Sequence, residues 1–145
     1  MTIIDIPLRW GDMDAYGHIN NVQIVRLMEE ARIMVFGVPS GTGQLDDTSP
    51  KPHINLLAGV EDGVMTLISD HTVKYRRQLP YRGTPIRVEV GVAKVKGASV
   101  EITYRFYDDD AVAVLATTTM VFVNQATGAP VRLTEAQRAA LADYA

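Results

Sequence analysis

Apolar positions follow one period, then another, along this chain. Ile4, Ile6 and Leu8 alternate with polar or ring-locked neighbours, so Ile3 to Arg9 reads as a short strand. Pro7 has no N–H to give to a ladder, which predicts a sheet edge there. Gly11 to Gly17 reads as loop. From about Ile19 to Phe36 the spacing turns helical, with Ile24, Leu27, Met28, Ala31 and Val35 on one stripe. Asn20 or His18 is placed to cap the start, and Gly37 followed by Pro39 stops the run. Val22, Val25, Ile33 and Met34 widen the stripe beyond one face, which predicts a helix wrapped by a sheet. Residues 38–52 (VPSGTGQLDDTSPKP) carry no period and read as a long, mobile inserted loop.

The second half alternates. Val64 to Leu79 reads as one strand with room for a bulge. Ile86, Val88, Val90 and Val92 define a half-buried strand, but Lys94 and Lys96 then take over the apolar parity. That strand leaves the core, bulges or meets an edge at this point. Val100, Ile102, Tyr104 and Phe106 form the next strand, and Asp108 to Asp110 a solvated hairpin turn. Ala111 to Val123 is apolar on both parities, so both of its faces need cover. Residues 134–144 read as a terminal helix, with Thr134 and Gln137 in a capping box. One helix followed by consecutive antiparallel strands predicts an α+β fold: a curved antiparallel sheet around one long central helix. A single domain spans 1–145, without repeats or linkers. One helix cannot cover the whole sheet, so a second subunit is expected on the last strand.

Composition narrows the function. The 145 residues suit one core. A net charge of −3 offers no basic field for a nucleic-acid backbone. The absence of Cys removes disulfides, thiolate metal sites and a Cys nucleophile, and fits a cytoplasmic setting. MTIIDIPLRW has no basic-then-apolar signal pattern, and no apolar run is long enough to span a bilayer.

The polar concentration lies in RWGDMDAYGHINN, Arg9 to Asn21. Asp12 and Asp14 precede a helix, where carboxylates gain a few tenths to about 1 kcal/mol from the positive helix end. They are either solvated loop groups or a nucleophile or general base. The amides that open a helix lack intrahelical partners and are able to hold a carbonyl oxygen as it gains charge. His18, Asn20 and Asn21 read as a network tying loop to helix. His18 with Asp12 and Asp14 is a poorly specified metal set, so no metal is expected. Glu29 and Glu30 sit mid-helix, where Glu29–Arg32 and Arg26–Glu30 have pairing distance. Lys74, Arg76, Arg77, Arg82, Lys94 and Lys96 either guard strand ends or meet phosphates.

The pattern R-W-x-D-x-D-x-x-G-H-I-N-N, followed by a helix carrying E-E-A-R, resembles the hotdog-fold acyl-CoA thioesterases, in particular the 4-hydroxybenzoyl-CoA thioesterase-like family. DHTVKYRRQL at Asp70 to Leu79 resembles that family's second strand, and TTMVFVN at Thr118 to Asn124 its last. The likeness runs from about Ile3 to Asn124. It implies that Asp14 is the catalytic carboxylate, as nucleophile or general base, and that the amide at about Asn21 polarises the thioester carbonyl. Asp12, Gly17, His18 and Asn20 are implied as loop supports. Arg76, Arg77, Lys94 and Lys96 are the candidates for the coenzyme A phosphates. It also implies a homodimer or homotetramer, an acyl-CoA substrate and no separate cofactor. The chain departs from the family in its long loop at 38–52 and in V-Q-I-V at Val22 to Val25, where relatives often carry Tyr near Ile24. Two other functions stay open on the same fold: non-hydrolytic acyl-CoA binding, and hydration or dehydration of an enoyl thioester.

Overall fold

The computed structural model describes residues 1–39, 42–57 and 60–145. In chain order it contains β1 (Thr2–Ile6), a 3-10 turn (Trp10–Asp12), α1 (Asn21–Phe36), β2 (Val64–Tyr75), β3 (Ile86–Val95), β4 (Ser99–Asp108), β5 (Ala111–Asn124) and α2 (Glu135–Ala142). The strands form one sheet in the order β1-β3-β4-β5-β2, antiparallel at every pairing. β1 is therefore an edge strand, and it ends just before Pro7.

α1 starts where its capping chemistry allows. Asn20 is extended, and its side-chain oxygen accepts from the Val22 amide at 3.0 Å. At the other end Gly37 takes a positive φ of 84°. The chain then returns along the helix end, and the amides of His53, Ile54 and Leu56 donate to the carbonyls of Met34, Val35 and Phe36. Those carbonyls have no acceptor role left within the helix, so the return segment completes them. Loop 38–52 thus leaves and rejoins the fold at one end of α1; its described residues form no strand or helix, and residues 40 and 41 lie outside the description.

Ile24, Leu27, Met28, Ala31 and Val35 face Val88, Val90, Val100, Ile102, Phe106, Val114 and Phe122 in one core. The wide apolar stripe is not enclosed within the chain: Val22, Val25 and Ile33 stay exposed on one flank of α1. On β5 the inward side chains from Val114 to Phe122 are buried, while Leu115, Thr117, Thr119 and Val121 on the other parity are half-buried. The second cover expected for this strand is not supplied by the described residues of the chain.

Two bulges re-aim charges. Register shifts between Val92 and Lys94, which moves Lys94 off the core parity to pair with Glu101. Another shift between Ile68 and Asp70 does the same on β2. β2 ends at Tyr75 rather than Leu79, because the amides of both Arg76 and Arg77 turn to the Ala113 carbonyl. The Asp108–Asp110 turn is only partly solvated. Asp108 is 10% exposed and paired with Arg82 at 2.7 Å and Arg77 at 3.5 Å.

The helix pairing differs from expectation. Arg26 pairs with Glu29 at 2.6 Å. Arg32 instead lies buried and donates to the Tyr104 hydroxyl at 3.2 Å. Helical spacing placed Arg32 on the flank next to Met28 and Ala31, and the sheet covers that flank. Tyr104→Phe removes the only acceptor that Arg32 has among the described residues. It is expected to cost about 1.5–3 kcal/mol, the range for hydrogen bonds to charged groups, in urea unfolding. α2 forms as read: Thr134 and Gln137 bond reciprocally at 3.1 and 2.8 Å, and the Gln137 amide reaches the Leu56 carbonyl.

Candidate active site

The segment from Arg9 to Asn21 folds into two successive carboxylate-centred turns. Asp12 closes the first. Its Oδ2 accepts from the Arg9 amide at 2.7 Å and its Oδ1 from the Arg9 guanidinium at 3.0 Å. It is 2% exposed, and its carbonyl accepts from the Asn20 amide. This carboxylate is spent on holding the loop. Among the described residues no three His, Cys, Asp or Glu side chains gather as a metal site.

Asp14 centres the second turn. Its Oδ1 accepts from the amides of Tyr16 at 2.8 Å and His18 at 3.1 Å, while its own amide donates to the His18 carbonyl at 2.7 Å. Gly17, at φ 81°, lets the chain reverse between them. Both side-chain bonds fall on Oδ1; among the described residues Oδ2 receives none. The Tyr16 and His18 amides hold the Asp14 carboxyl below its ordinary pKa. A lowered folded value favours the folded state above the unfolded pKa and is lost as pH falls through the folded one. Asp14 is thus an anion across the neutral range. If it is the reacting group, the kcat/KM profile has no acid limb from it between about pH 5 and pH 8. A pH–rate profile checks this; a limb near pH 6 that disappears in Asp14→Asn contradicts it.

Asp14, His18, Ile19, Asn21, Arg76 and Val114 line a cavity of about 510 Å³, with Tyr75 and Arg77 also on its wall. The Tyr75 hydroxyl donates to the Asn21 carbonyl at 3.3 Å. Asn20 caps Val22 and its carbonyl takes Gln23 and Ile24, but no acceptor among the described residues takes the Asn21 amide. That leaves the Asn21 N–H uncommitted at the start of the helix, and Asn21 lines the same cavity as Asp14. The segment after β2 closes the site from the other side, as the Leu79 carbonyl accepts from the Ile19 amide and Tyr81 donates to Gly17.

Of the basic candidates, Arg76 and Arg77 border this cavity, with Arg77 also shared by Asp108. Lys94 and Lys96 lie elsewhere. Lys94 aligns with Glu101 and so with Thr119, five residues along β5 from Val114, about 17 Å away along the strands. One chain does not bring them to Asp14. The flank of α1 was missed from sequence. A groove shares Asn21 and Tyr75 with the Asp14 cavity and runs past His71 and Arg32. It meets an apolar cavity of about 260 Å³ that Ile33, Phe36, Leu57 and Met120 line and that Val38, Pro39 and Thr42 of the long loop help wall. The exposed Val22, Val25 and Ile33 were the signal for it.

A five-stranded antiparallel sheet in the order β1-β3-β4-β5-β2 with two helices is a hotdog-type arrangement. The chain belongs to the thioesterase-like superfamily, whose model matches residues 8–141. Solved structures agree on the fold. A Pseudomonas aeruginosa protein is 21% identical with a TM-score of 0.75, covering 99% of this chain and 91% of that one. A predicted thioesterase of Bacillus stearothermophilus is 22% identical at 0.73, covering 98% and 94%. A DHNA-CoA thioesterase of Staphylococcus aureus is 16% identical at 0.74, covering 98% and 89%. No functionally curated protein matches the sequence. No helix among the described residues is long and apolar enough to cross a membrane.

Proposed function

We propose that this protein is a cytoplasmic acyl-CoA thioesterase, hydrolysing an acyl-CoA to the free acid and coenzyme A. The observation that carries the reading is that one cavity is lined by two residues with uncommitted groups, Asp14 with its Oδ2 and Asn21 with its amide. The thioester oxygen accepts from the Asn21 N–H, which stabilises negative charge as the carbonyl carbon becomes tetrahedral. Asp14 Oδ2 either attacks that carbon, giving a mixed anhydride that water then opens, or takes the proton from an attacking water. In both routes the sulfur leaves as a thiolate. With a thiol pKa of about 8.5 it needs no strong acid to depart, so one carboxylate and one amide replace a full triad.

Asp12, Gly17, His18 and Asn20 hold these two groups in place, and Arg76 and Arg77 stand at the rim for the coenzyme A phosphates. The acyl group follows the α1 flank toward the apolar cavity at Phe36 and Met120. Coenzyme A enters as part of the substrate, and no separate cofactor is invoked. Pairing of two copies along the β2 edge, where Leu67, Ile68 and Tyr75 are exposed, suits the unclosed flank of α1. With the sheet curved around α1, such a pairing would also give the groove a second wall.

His18 on the same wall favours one rival, acid–base addition of water to an enoyl thioester. A single assay with an enoyl-CoA separates the two. Thiol release with the free acid as product supports hydrolysis; loss of enoyl absorbance without thiol release overturns it. Binding with neither signal identifies a non-hydrolytic acyl-CoA carrier.

A further inference from the structure

The α1 flank buries a cation and leaves most of its donors open. Arg32 is 9% exposed, and its Nη1 donates to the Tyr104 hydroxyl at 3.2 Å. No Asp or Glu among the described residues forms an ion pair with it. Glu29, one turn earlier on the same flank, is taken by Arg26 at 2.6 Å. A guanidinium has a planar fork of N–H donors, and one taken this far out of water calls for an anion. Among the described residues no side-chain nitrogen that is sealed from water lacks a partner, so Nε and Nη2 of Arg32 open onto the space beside them. That space is the junction of two cavities. Arg32 and Ile68 line both the groove that shares Asn21 and Tyr75 with the Asp14 cavity and the apolar cavity at Phe36. His71, on β2, lines the same groove; its Nδ1 bonds the Thr118 hydroxyl at 2.9 Å, and its Nε2 has no partner among the described residues. Burial first, and then the Arg32 charge, holds the His71 pKa below its ordinary value, which marks the two as neighbours.

We propose that the acyl thioester taken by this groove carries a carboxylate at its far end, and that Arg32 is the residue that selects it. This rests on the acyl path of the thioesterase reading. A chain whose carbonyl sits at the Asn21 amide and which follows the groove meets Arg32 about 16 Å along α1, counted between backbones. The guanidinium itself is nearer, because helical side chains lean toward the N-terminus. The same span on the sheet, from Tyr75 to His71, is about 13 Å. At that depth the carboxylate accepts from Nε and Nη2 together, the paired geometry that suits a guanidinium. Val22, Val25 and Ile68 give the methylene spacer an apolar wall. A chain ending in a methyl group would cover the same donors from water and give them no acceptor, a cost that discriminates against it.

Calorimetric binding of matched thioesters tests it. Suberoyl-, sebacoyl- and dodecanedioyl-CoA are each compared with the CoA thioester of the same diacid methylated at its far carboxyl, on full-length Asp14→Asn, which spares the thioester. The coenzyme A part is identical within each pair, so the ratio of dissociation constants reads the far end alone. At one length or more the carboxylate is expected to bind about 10–100-fold more tightly than its methyl ester, the range for a hydrogen-bonded charge. Adding Arg32→Met should bring the ratio close to unity, and Arg32→Lys, which keeps the charge and loses the fork, to an intermediate value. The ligand comparison alone decides if Arg32→Met does not fold. A ratio close to unity at every length, no binding by any member, or a ratio that survives in folded Arg32→Met overturns the proposal. Thiol release by the wild type is read separately on the same set. A carboxylate preference in binding with no thiol release refutes hydrolysis and keeps the Arg32 site; thiol release without that preference does the reverse.

Discussion

Asp14→Asn is expected to lower thiol release from an acyl-CoA by about 10²–10⁴-fold, the usual cost of losing a catalytic base, while melting close to wild type. The separation of effects follows from how the two oxygens are used. Oδ1 accepts from the Tyr16 and His18 amides, and an asparagine keeps that acceptor. Oδ2 has no donor among the described residues, and there the substitution replaces an anionic oxygen with an amide nitrogen. The loop therefore keeps its shape and the chemistry goes. Asp12→Asn gives the opposite signature. Both oxygens of the buried Asp12 carboxylate accept from Arg9, so this change is expected to cost about 1–3 kcal/mol of stability, with a smaller loss of turnover. Thermal melts beside steady-state rates separate the two. If Asp12→Asn is the more damaging to turnover and Asp14→Asn the more damaging to stability, their roles are reversed.

The second large effect is at a backbone group. Asn21→Pro removes the N–H proposed to hold the thioester oxygen, and is expected to lower kcat by about 10²–10³-fold, the cost of losing one oxyanion donor. The position tolerates proline for stated reasons. Asn21 is the first residue of α1, where a missing N–H breaks no helical bond. Asn20 before it already sits at φ −62° and ψ 135°, the extended conformation that a following proline demands. Asn21→Ala, which keeps the amide, is the control and should lose far less. Equal losses in the two variants would assign the effect to the Asn21 side chain. An undiminished rate in Asn21→Pro would remove the amide from the mechanism.

Much of the fold was legible because local rules and packing agree over most of the chain. The alternation from Ile86 to Val92 and from Val100 to Phe106 marks strands with one buried face, and the Thr134–Gln137 box marks a helix start. Legibility fails where tertiary contacts decide. The parity switch at Lys94 announced a bulge, an edge or an exit without choosing among them; pairing with Glu101 makes it a bulge. Arg32 looked like a partner for Glu29, and only the sheet above it shows that the guanidinium is buried on Tyr104. Asp108 looked solvated because its two arginine partners lie about thirty residues upstream.

At the site, local pattern placed two carboxylates and a helix start together but left the carboxylates equivalent, and the family resemblance alone singled out Asp14. Hydrogen bonding separates them, since Asp12 is consumed by Arg9 and Asp14 keeps one oxygen open. Neither Lys94 nor Lys96 could be ruled on from spacing, because strand order sets which end of the sheet they occupy.

The most direct measurement is thiol release over time from a panel of acyl-CoAs graded in chain length and aromaticity, with wild-type protein and Asp14→Asn side by side. Expected is many turnovers by the wild type on at least one member, with free acid and thiol in equal amounts, and a rate about 10²–10⁴-fold lower for the variant. Turnover by Asp14→Asn within a few fold of wild type, or no thiol release from any acyl-CoA, would contradict the assignment.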